Sequence, residues 1–272
     1  MNLGIADMSL ITLMTDFGTC DGYVGVMKGV IAQLGAGVRV VDVTHDIPPQ
    51  DVMAARFVVM NSYPYFPART VHCVVVDPGV GTDRRGIALE AAVDGQRQFF
   101  VAPDNGVLDS LRGQVKRSVA LTNPEYWRVR RPSRTFHGRD IFAPVAAHLA
   151  TGVDLSRLGE VVTVDSLVRL PMEDAIATPQ GFQGVIQYID RFGNAITTIP
   201  GRCVTGRPWQ LLVGERSVLP YSSYGDAQLG ELLGLIGSHG WVEIAVNQGS
   251  AAERLRLRNG DRVTLVWRRG SC

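Results

Sequence analysis

The segment Val74-Val75-Val76-Asp77-Pro78-Gly79-Val80-Gly81-Thr82-Asp83-Arg84-Arg85 runs three β-branched residues into a carboxylate, breaks the chain at Pro-Gly and then presents two guanidinium groups. An acid at the carboxyl end of a buried strand stands where open α/β sheets keep their ligand crevices. A second punctuated loop, Thr135-Phe136-His137-Gly138-Arg139-Asp140, carries an imidazole up to an apolar helix. Taken singly, Asp77 and Arg84 read as a loop-stabilising ion pair and His137 as a hydrogen bond at a helix entrance. Taken together, three ionisable types on two Gly-punctuated loops point to a polar pocket.

Further candidates flank these loops. Thr15-Asp16-Phe17-Gly18-Thr19-Cys20-Asp21-Gly22 lies between the first strand and the first helix. There a carboxylate can accept two hydroxyl hydrogen bonds, as an acid does for a ribose diol in dinucleotide folds. Asp21 also reads as a helix cap, whereas Asp16, placed just after the strand, does not. Asp16-Phe17-Gly18 matches the kinase magnesium triplet, but no P-loop or kinase glycine loop accompanies it. Gly79, Gly81 and Gly86 miss the G-x-G-x-x-G spacing of dinucleotide folds. Farther on, Asp190-Arg191-Phe192-Gly193-Asn194 sets acid, aromatic and amide on a tight turn. Such turns are usually only turns, yet Asn194 can pair with both edges of a purine while Phe192 or Tyr224 stacks on it. Ser238-His239-Gly240 and Asn247-Gln248-Gly249-Ser250 form two more loops. His45, beside Asp46, His72 in a strand and His148 on a helix are weaker candidates.

The elements that must position these residues change character along the chain. Strand-like and helical runs alternate over residues 10–14, 23–34, 38–43, from 52, 71–76, 87–92, 99–102 and 141–150, the pattern of a mainly parallel sheet covered by helices. From 181 the pattern turns to short period-2 segments at 185–189, 195–199, 210–213, 241–246 and 263–267, separated by Gly and Pro, which reads as a small β-barrel or sandwich. A helix is expected over 229–236. The predicted organisation is an α/β domain over 1–165, a linker over 166–180 and an all-β barrel-like domain over 181–272.

Composition narrows the function classes. With 27 basic against 26 acidic residues and a net charge of +1, nothing attracts a phosphate backbone, so nucleic acid is not an expected partner. No basic leader opens residues 1–7 and no apolar run is long enough for a membrane span, so a soluble cytoplasmic protein is expected. Cys20, Cys73, Cys203 and Cys272 lack C-x-x-C or zinc spacing and read as free thiols, Cys73 in the core and Cys20 in a polar loop as the one to suspect of reactivity.

Across nearly its whole length the chain resembles the S-adenosyl-L-methionine (SAM) hydroxide adenosyltransferase family, the SAM hydrolases related to fluorinase and chlorinase. The likeness rests on Thr15-Asp16-Phe17-Gly18, Asp21, Asp77 through Thr82, Phe136 through Asp140, Asp190 through Asn194 and Asn247 through Ala252, in the family's order. It implies a homotrimer whose sites lie between the first domain of one subunit and the second domain of its neighbour. It assigns Asp16 to the ribose hydroxyls, and Asp21, Asp190 and Ser238 to the amino-acid end of methionine. Asn194 and the backbone near Gln248 would read adenine with Tyr224 against its ring; Phe136, Phe192 and Asn247 belong to the same substrate set. Asp77, Arg84 and His137 fall on the hydrolytic group at the attacking water, of which halogenating relatives replace the first and last. Tyr23 and His239 depart from the fluorinase, which has a small hydroxyl residue and an arginine there.

The implied reaction is displacement at the ribose 5′ carbon, forming adenosine and L-methionine. Sulfur leaves as a neutral thioether, so no acid is needed, and the difficulty lies in making water a nucleophile. Asp77 and His137 can orient water and accept its proton while Arg84 favours an anionic oxygen. No metal or other cofactor is expected. The alternatives are a halide-dependent adenosyltransferase and a non-catalytic SAM or adenosine sensor.

Overall fold

The computed structural model describes residues 9–268, so residues 1–7 and Cys272 lie outside the described residues. Contacts divide the chain into two units, meeting in sequence between Leu170 and Pro171.

The first unit is an α/β sheet. Its elements are β1 (Leu10–Thr15), α1 (Tyr23–Leu34), β2 (Arg39–Thr44), α2 (Val52–Ser62), β3 (Val71–Val75), β4 (Gly86–Val93), β5 (Gln96–Pro103), β6 (Val115–Ala120) and α3 (Ala143–Ala150). The strand order is β2-β1-β3-β5-β4-β6. The β1–β2, β1–β3 and β3–β5 pairings are parallel, and β4 pairs antiparallel with both β5 and β6. Every residue of β3 is buried, as a strand covered on both faces requires. The antiparallel edge has a local cause. Asp94 and Gly95, at φ 47° and 77°, form the two-residue turn that folds a strand back on its neighbour, and so short a link cannot make a parallel crossover.

Helix α1 buries Val24, Met27, Val30 and Ile31 at helical spacing. Helix α3 packs against α1 and the sheet through Ala143, Val145, Ala146 and Ala147, all fully buried. Its entry is a wide turn over Gly138–Phe142, closed by Ala143 N–H donating to Gly138 O, one residue longer than an ordinary α turn.

The second unit is antiparallel and nearly closed. It comprises β7 (Ile176–Thr178), β8 (Gly181–Ile189), β9 (Ala195–Pro200), β10 (Trp209–Val213), β11 (Arg216–Val218), β12 (Leu232–Ile236), β13 (Trp241–Val246), a short α4 (Ala251–Leu255) and β14 (Arg262–Trp267). The order is β11-β10-β14-β8-β9-β13-β12, with β7 on β8. Beyond β11, Tyr221 N–H donates to Gly234 O and Gly234 N–H to Leu219 O, each at 2.8 Å, which draws the two ends of the sheet together.

The expected helix over 229–236 is instead a turn at Gly230 and strand β12, paired antiparallel with β13. Leu233 and Leu235 join an outer cluster with Ala227 and Ala245, while Leu232 packs on the barrel core. Apolar residues facing both ways erase the period-2 signal and imitate a helical run.

Candidate active site

Asp16 and Asp77 stand at the carboxyl ends of β1 and β3, and His137 at the entry to α3. Together with Phe17, Tyr23 and Phe136 they line a cleft of about 390 Å³ in the first unit. Gly81 lets the two loops meet: at φ 76° it lies so close to Arg134 that a Cβ would overlap the Arg134 carbonyl, and Arg134 Nη2 donates to Gly81 O at 3.1 Å.

Arg84 ties the group together. Its Nε donates to Asp77 Oδ1 at 2.7 Å, its Nη2 donates to Asp77 Oδ2, and the same Nη2 lies 2.8 Å from His137 Nδ1. Guanidinium only donates, so Nδ1 accepts, and a neutral His137 carries its proton on Nε2. Burial lowers the His137 pKa below its ordinary 6.5; the Arg84 charge pushes the same way, against Asp77 and Asp140.

The neighbouring charges are structural in geometry. Arg85 turns away from the cleft and donates to Asp104 and to the Ser166 carbonyl. Asp140 is fully buried, which alone would raise its pKa, yet hydrogen bonds from Arg139, Arg128 and the Ser133 N–H hold it well below the usual carboxylate range. Phe136 packs edge-on to Tyr23 and Phe17, with ring centroids 5.2 and 5.8 Å apart. Asp21 is exposed and absent from this lining, and it makes no cap on α1, whose N-cap is Gly22. Asp16 accepts from the Gln50 N–H at 2.8 Å.

In the second unit Asp190, Phe192, Asn194, Tyr224, Ser238 and Gln248 border a pocket of about 590 Å³, joined by His239 and Glu243. Asp190 Oδ1 accepts from the Phe192 and Asn194 N–H groups and Oδ2 from Asn194 Nδ2, so this carboxylate holds its own turn. Asn194 keeps its side-chain oxygen and its second amide hydrogen for other partners. Phe192 is 76% exposed. Asn247 is not in the lining: its Nδ2 donates to Ala227 O.

Glu243 is the pocket residue that sequence reasoning missed. It is 2% exposed and accepts from Tyr224 Oη at 2.5 Å and from His239 Nε2 at 2.7 Å. Trp241 N–H donates to His239 Nδ1, which fixes the proton on Nε2. Burial and the Glu243 contact raise the Tyr224 pKa far above its ordinary value. A lone acid inside the apolar run of β13 was the available signal, because a buried charge must be paired.

Among the described residues no cluster of three or more His, Cys, Asp or Glu could hold a metal ion, and no helix is long and apolar enough to cross a membrane. Cys20, Cys73 and Cys203 are free; Cys73 is fully buried, which pushes its thiol up to about 12, while Cys20 is exposed.

The chain matches the models of the SAM hydroxide adenosyltransferase N-terminal domain over residues 11–159 and C-terminal domain over residues 184–264. It is 44% identical over 259 residues to the (R)-S-adenosyl-L-methionine hydrolase of Salinispora tropica, covering 94% of this chain and 97% of that one. It is 40% identical to the protein of that name from Thermus thermophilus, over 95% of this chain and all of the other. A fluorinase from an Actinoplanes species is more distant, at 29% over 94% of this chain and 97% of its own length. The crystal structure of an uncharacterized conserved protein from Thermotoga maritima superposes with a TM-score of 0.87 at 36% identity, over 95% of this chain and 100% of that one. Both halves of the fold and the relatives that share them place this chain in the SAM hydroxide adenosyltransferase family.

Proposed function

We propose that this chain hydrolyses SAM to adenosine and L-methionine by attack of water or hydroxide on the ribose 5′ carbon. The observation that carries the reading is the hydrogen-bonded Asp77–Arg84–His137 group, of which Asp77 and His137 line a cleft that also holds Asp16. Relatives named (R)-S-adenosyl-L-methionine hydrolase at 40–44% identity over nearly the full length support the substrate.

The hydrogen bonding suggests how water is made reactive. Arg84 already occupies the Nδ1 lone pair of His137, so the neutral imidazole is not set to take a proton, whereas each Asp77 oxygen keeps a lone pair beside its bond from Arg84 and can still accept one. The imidazole instead offers Nε2–H, and beside it stands the Arg84 charge. Together they favour the hydroxide form of an oxygen held there, whose proton passes to Asp77 or to solvent. Hydroxide then forms the C5′–O bond as the C5′–S pair withdraws onto sulfur, turning the sulfonium into the neutral thioether of methionine. Partial neutralisation of the two charges makes a water-poor cleft favourable for the step.

In this reading Asp16 holds the ribose hydroxyls. Asp21, Asp190 and Ser238 take the methionine end, Asn194 and the backbone near Gln248 take adenine, and Tyr224 lies against its ring; Phe136, Phe192 and Asn247 complete or support the substrate set. The protein is a cytoplasmic homotrimer whose sites combine the first domain of one subunit with the second domain of its neighbour. The division of the assigned residues between two units, each with its own cleft, supports this arrangement.

Incubation with SAM in isotopically labelled water, followed by chromatography and mass spectrometry, tests the reaction. Labelled adenosine and methionine in equal amounts are expected. A 5′-chloro nucleoside in chloride buffer, or tight SAM binding with no product, would overturn it.

A further inference from the structure

His45 takes no part in the chemistry above, yet it is 5% exposed and sits where the carboxyl ends of two neighbouring parallel strands, β1 and β2, leave the sheet. Its Nδ1 lies 2.9 Å from Thr15 Oγ1, at the last residue of β1 and next to Asp16. Its Nε2 lies 3.2 Å from Asp42 Oδ1, an ion-pair contact off the hydrogen-bond direction, and Asp42 Oδ2 accepts from Lys28 Nζ on α1. Its carbonyl accepts from the Gly18 N–H at 2.8 Å. One residue thus joins both ends of the Asp16 turn to the segment that follows β2.

That segment ends at Gln50, a non-glycine residue at φ 65°, whose N–H is the donor to Asp16 Oδ2. Left-handed backbone at such a residue is strained and persists only where the surrounding structure over-determines it. Asp51 fixes the far flank by capping α2 through the Ala54 N–H. The near flank is fixed at His45.

We infer that His45 is a positioning residue for the ribose-diol subsite: it clamps the β1 and β2 loops so that the Gln50 N–H and the Thr15-Asp16 turn hold the Asp16 carboxylate in the orientation a cis-diol requires. This rests on the assignment of Asp16 to the ribose. A carboxylate whose own donor is displaced can still meet water but loses the paired geometry for two adjacent hydroxyls.

The test measures inhibition of SAM cleavage by adenosine and by 2′,3′-dideoxyadenosine, which lacks the diol, in the wild type, Asp16→Asn, His45→Asn and His45→Gln. Hydrogen bonds to a charged group set the scale. Asp16→Asn should weaken adenosine about 10-fold or more and leave the dideoxy compound within twofold. His45→Gln should weaken adenosine about 5-fold with the same selectivity and raise KM for SAM more than it lowers kcat. His45→Asn, whose side-chain oxygen can stand in for Nδ1, should recover part of that loss. Equal weakening of both nucleosides by the His45 variants means a general structural role and overturns the inference. So does an unchanged adenosine constant in the His45 variants while Asp16→Asn responds, a result that leaves the ribose assignment standing. No diol selectivity in Asp16→Asn overturns that assignment and this inference with it.

Discussion

The consequences of Asp77→Asn follow most directly from the geometry. Arg84 makes two hydrogen bonds to Asp77, and the two side chains are only 12% and 6% exposed. Asparagine can keep an oxygen for Nε, but it turns an NH₂ toward Nη2 and withdraws the counter-charge. Removing one partner of a buried ion pair costs about 3–5 kcal/mol, and the surviving hydrogen bond points to the lower end, about 3 kcal/mol. At about 2–4 °C per kcal/mol for a unit of this size, the first melting transition falls by roughly 6–12 °C. Asp77 orients the Arg84 donors and can accept the water proton, and loss of a positioned proton acceptor or of preorganised donors typically costs about 100-fold to 1,000-fold in kcat. Adenosine formation at saturating SAM, with SAM binding by calorimetry at a temperature where the variant is folded, gives both numbers. The expected result is kcat lowered about 100-fold or more with SAM affinity within about threefold. Turnover within threefold of wild type would refute the hydroxide-stabilising role. Turnover and binding lost together would reassign Asp77 to shaping the cleft.

Three further outcomes follow. NMR titration of His137 should give a pKa below 6.5, and Arg84→Met should raise it, because one of its two depressing causes is gone; an unchanged value would detach the imidazole from Arg84. His72 is fully buried between Thr12 and Gln98, with its pKa lowered by burial to about 4. The unfolded chain therefore binds its proton first as pH falls, and stability worth about 3 kcal/mol at 1.36 kcal/mol per pH unit is lost from about pH 6.5 down to 4. Denaturant titrations should show His72→Phe flattening that slope, and an equal slope in the variant would exclude His72 as its source. Asp77→Asn and Asn194→Ala, each impaired alone, should regain activity after subunit exchange if sites are shared between neighbours; absence of recovery in proven mixed oligomers would place each site within one subunit.

The parallel half of the fold is legible because fully apolar strands such as Val71–Val75 alternate with helices whose buried residues recur at helical spacing. The reversal at β4 was also written locally, in Asp94-Gly95, but a two-residue turn is easily lost among longer apolar runs. β12 was misread because its leucines serve two apolar faces. Pro-Gly and Gly punctuation marked the loops that bring Asp77, Arg84 and His137 together. It could not tell which hydrogens the three exchange, since that depends on angles fixed across a separation of 53 residues. The adjacent guanidinium groups of Arg84 and Arg85 are told apart in role only through Asp104, a partner distant in sequence. Glu243 goes unseen, and His45 ranks only as a weaker candidate, for the same reason: their partners lie on other strands and turns.

The five-residue opening of α3 makes the heading of His137 a matter of helical phase. Downstream, Ala143 through Ala147 are locked in the core, so they cannot rotate to absorb a change in length. Deleting one residue between Gly138 and Phe142 would rewind that opening to a regular spiral and swing the imidazole by about 100° about the axis. The ring would then leave Arg84 although every side chain of the group was still encoded. Insertions and deletions at this spot can therefore silence the site as completely as replacing the histidine.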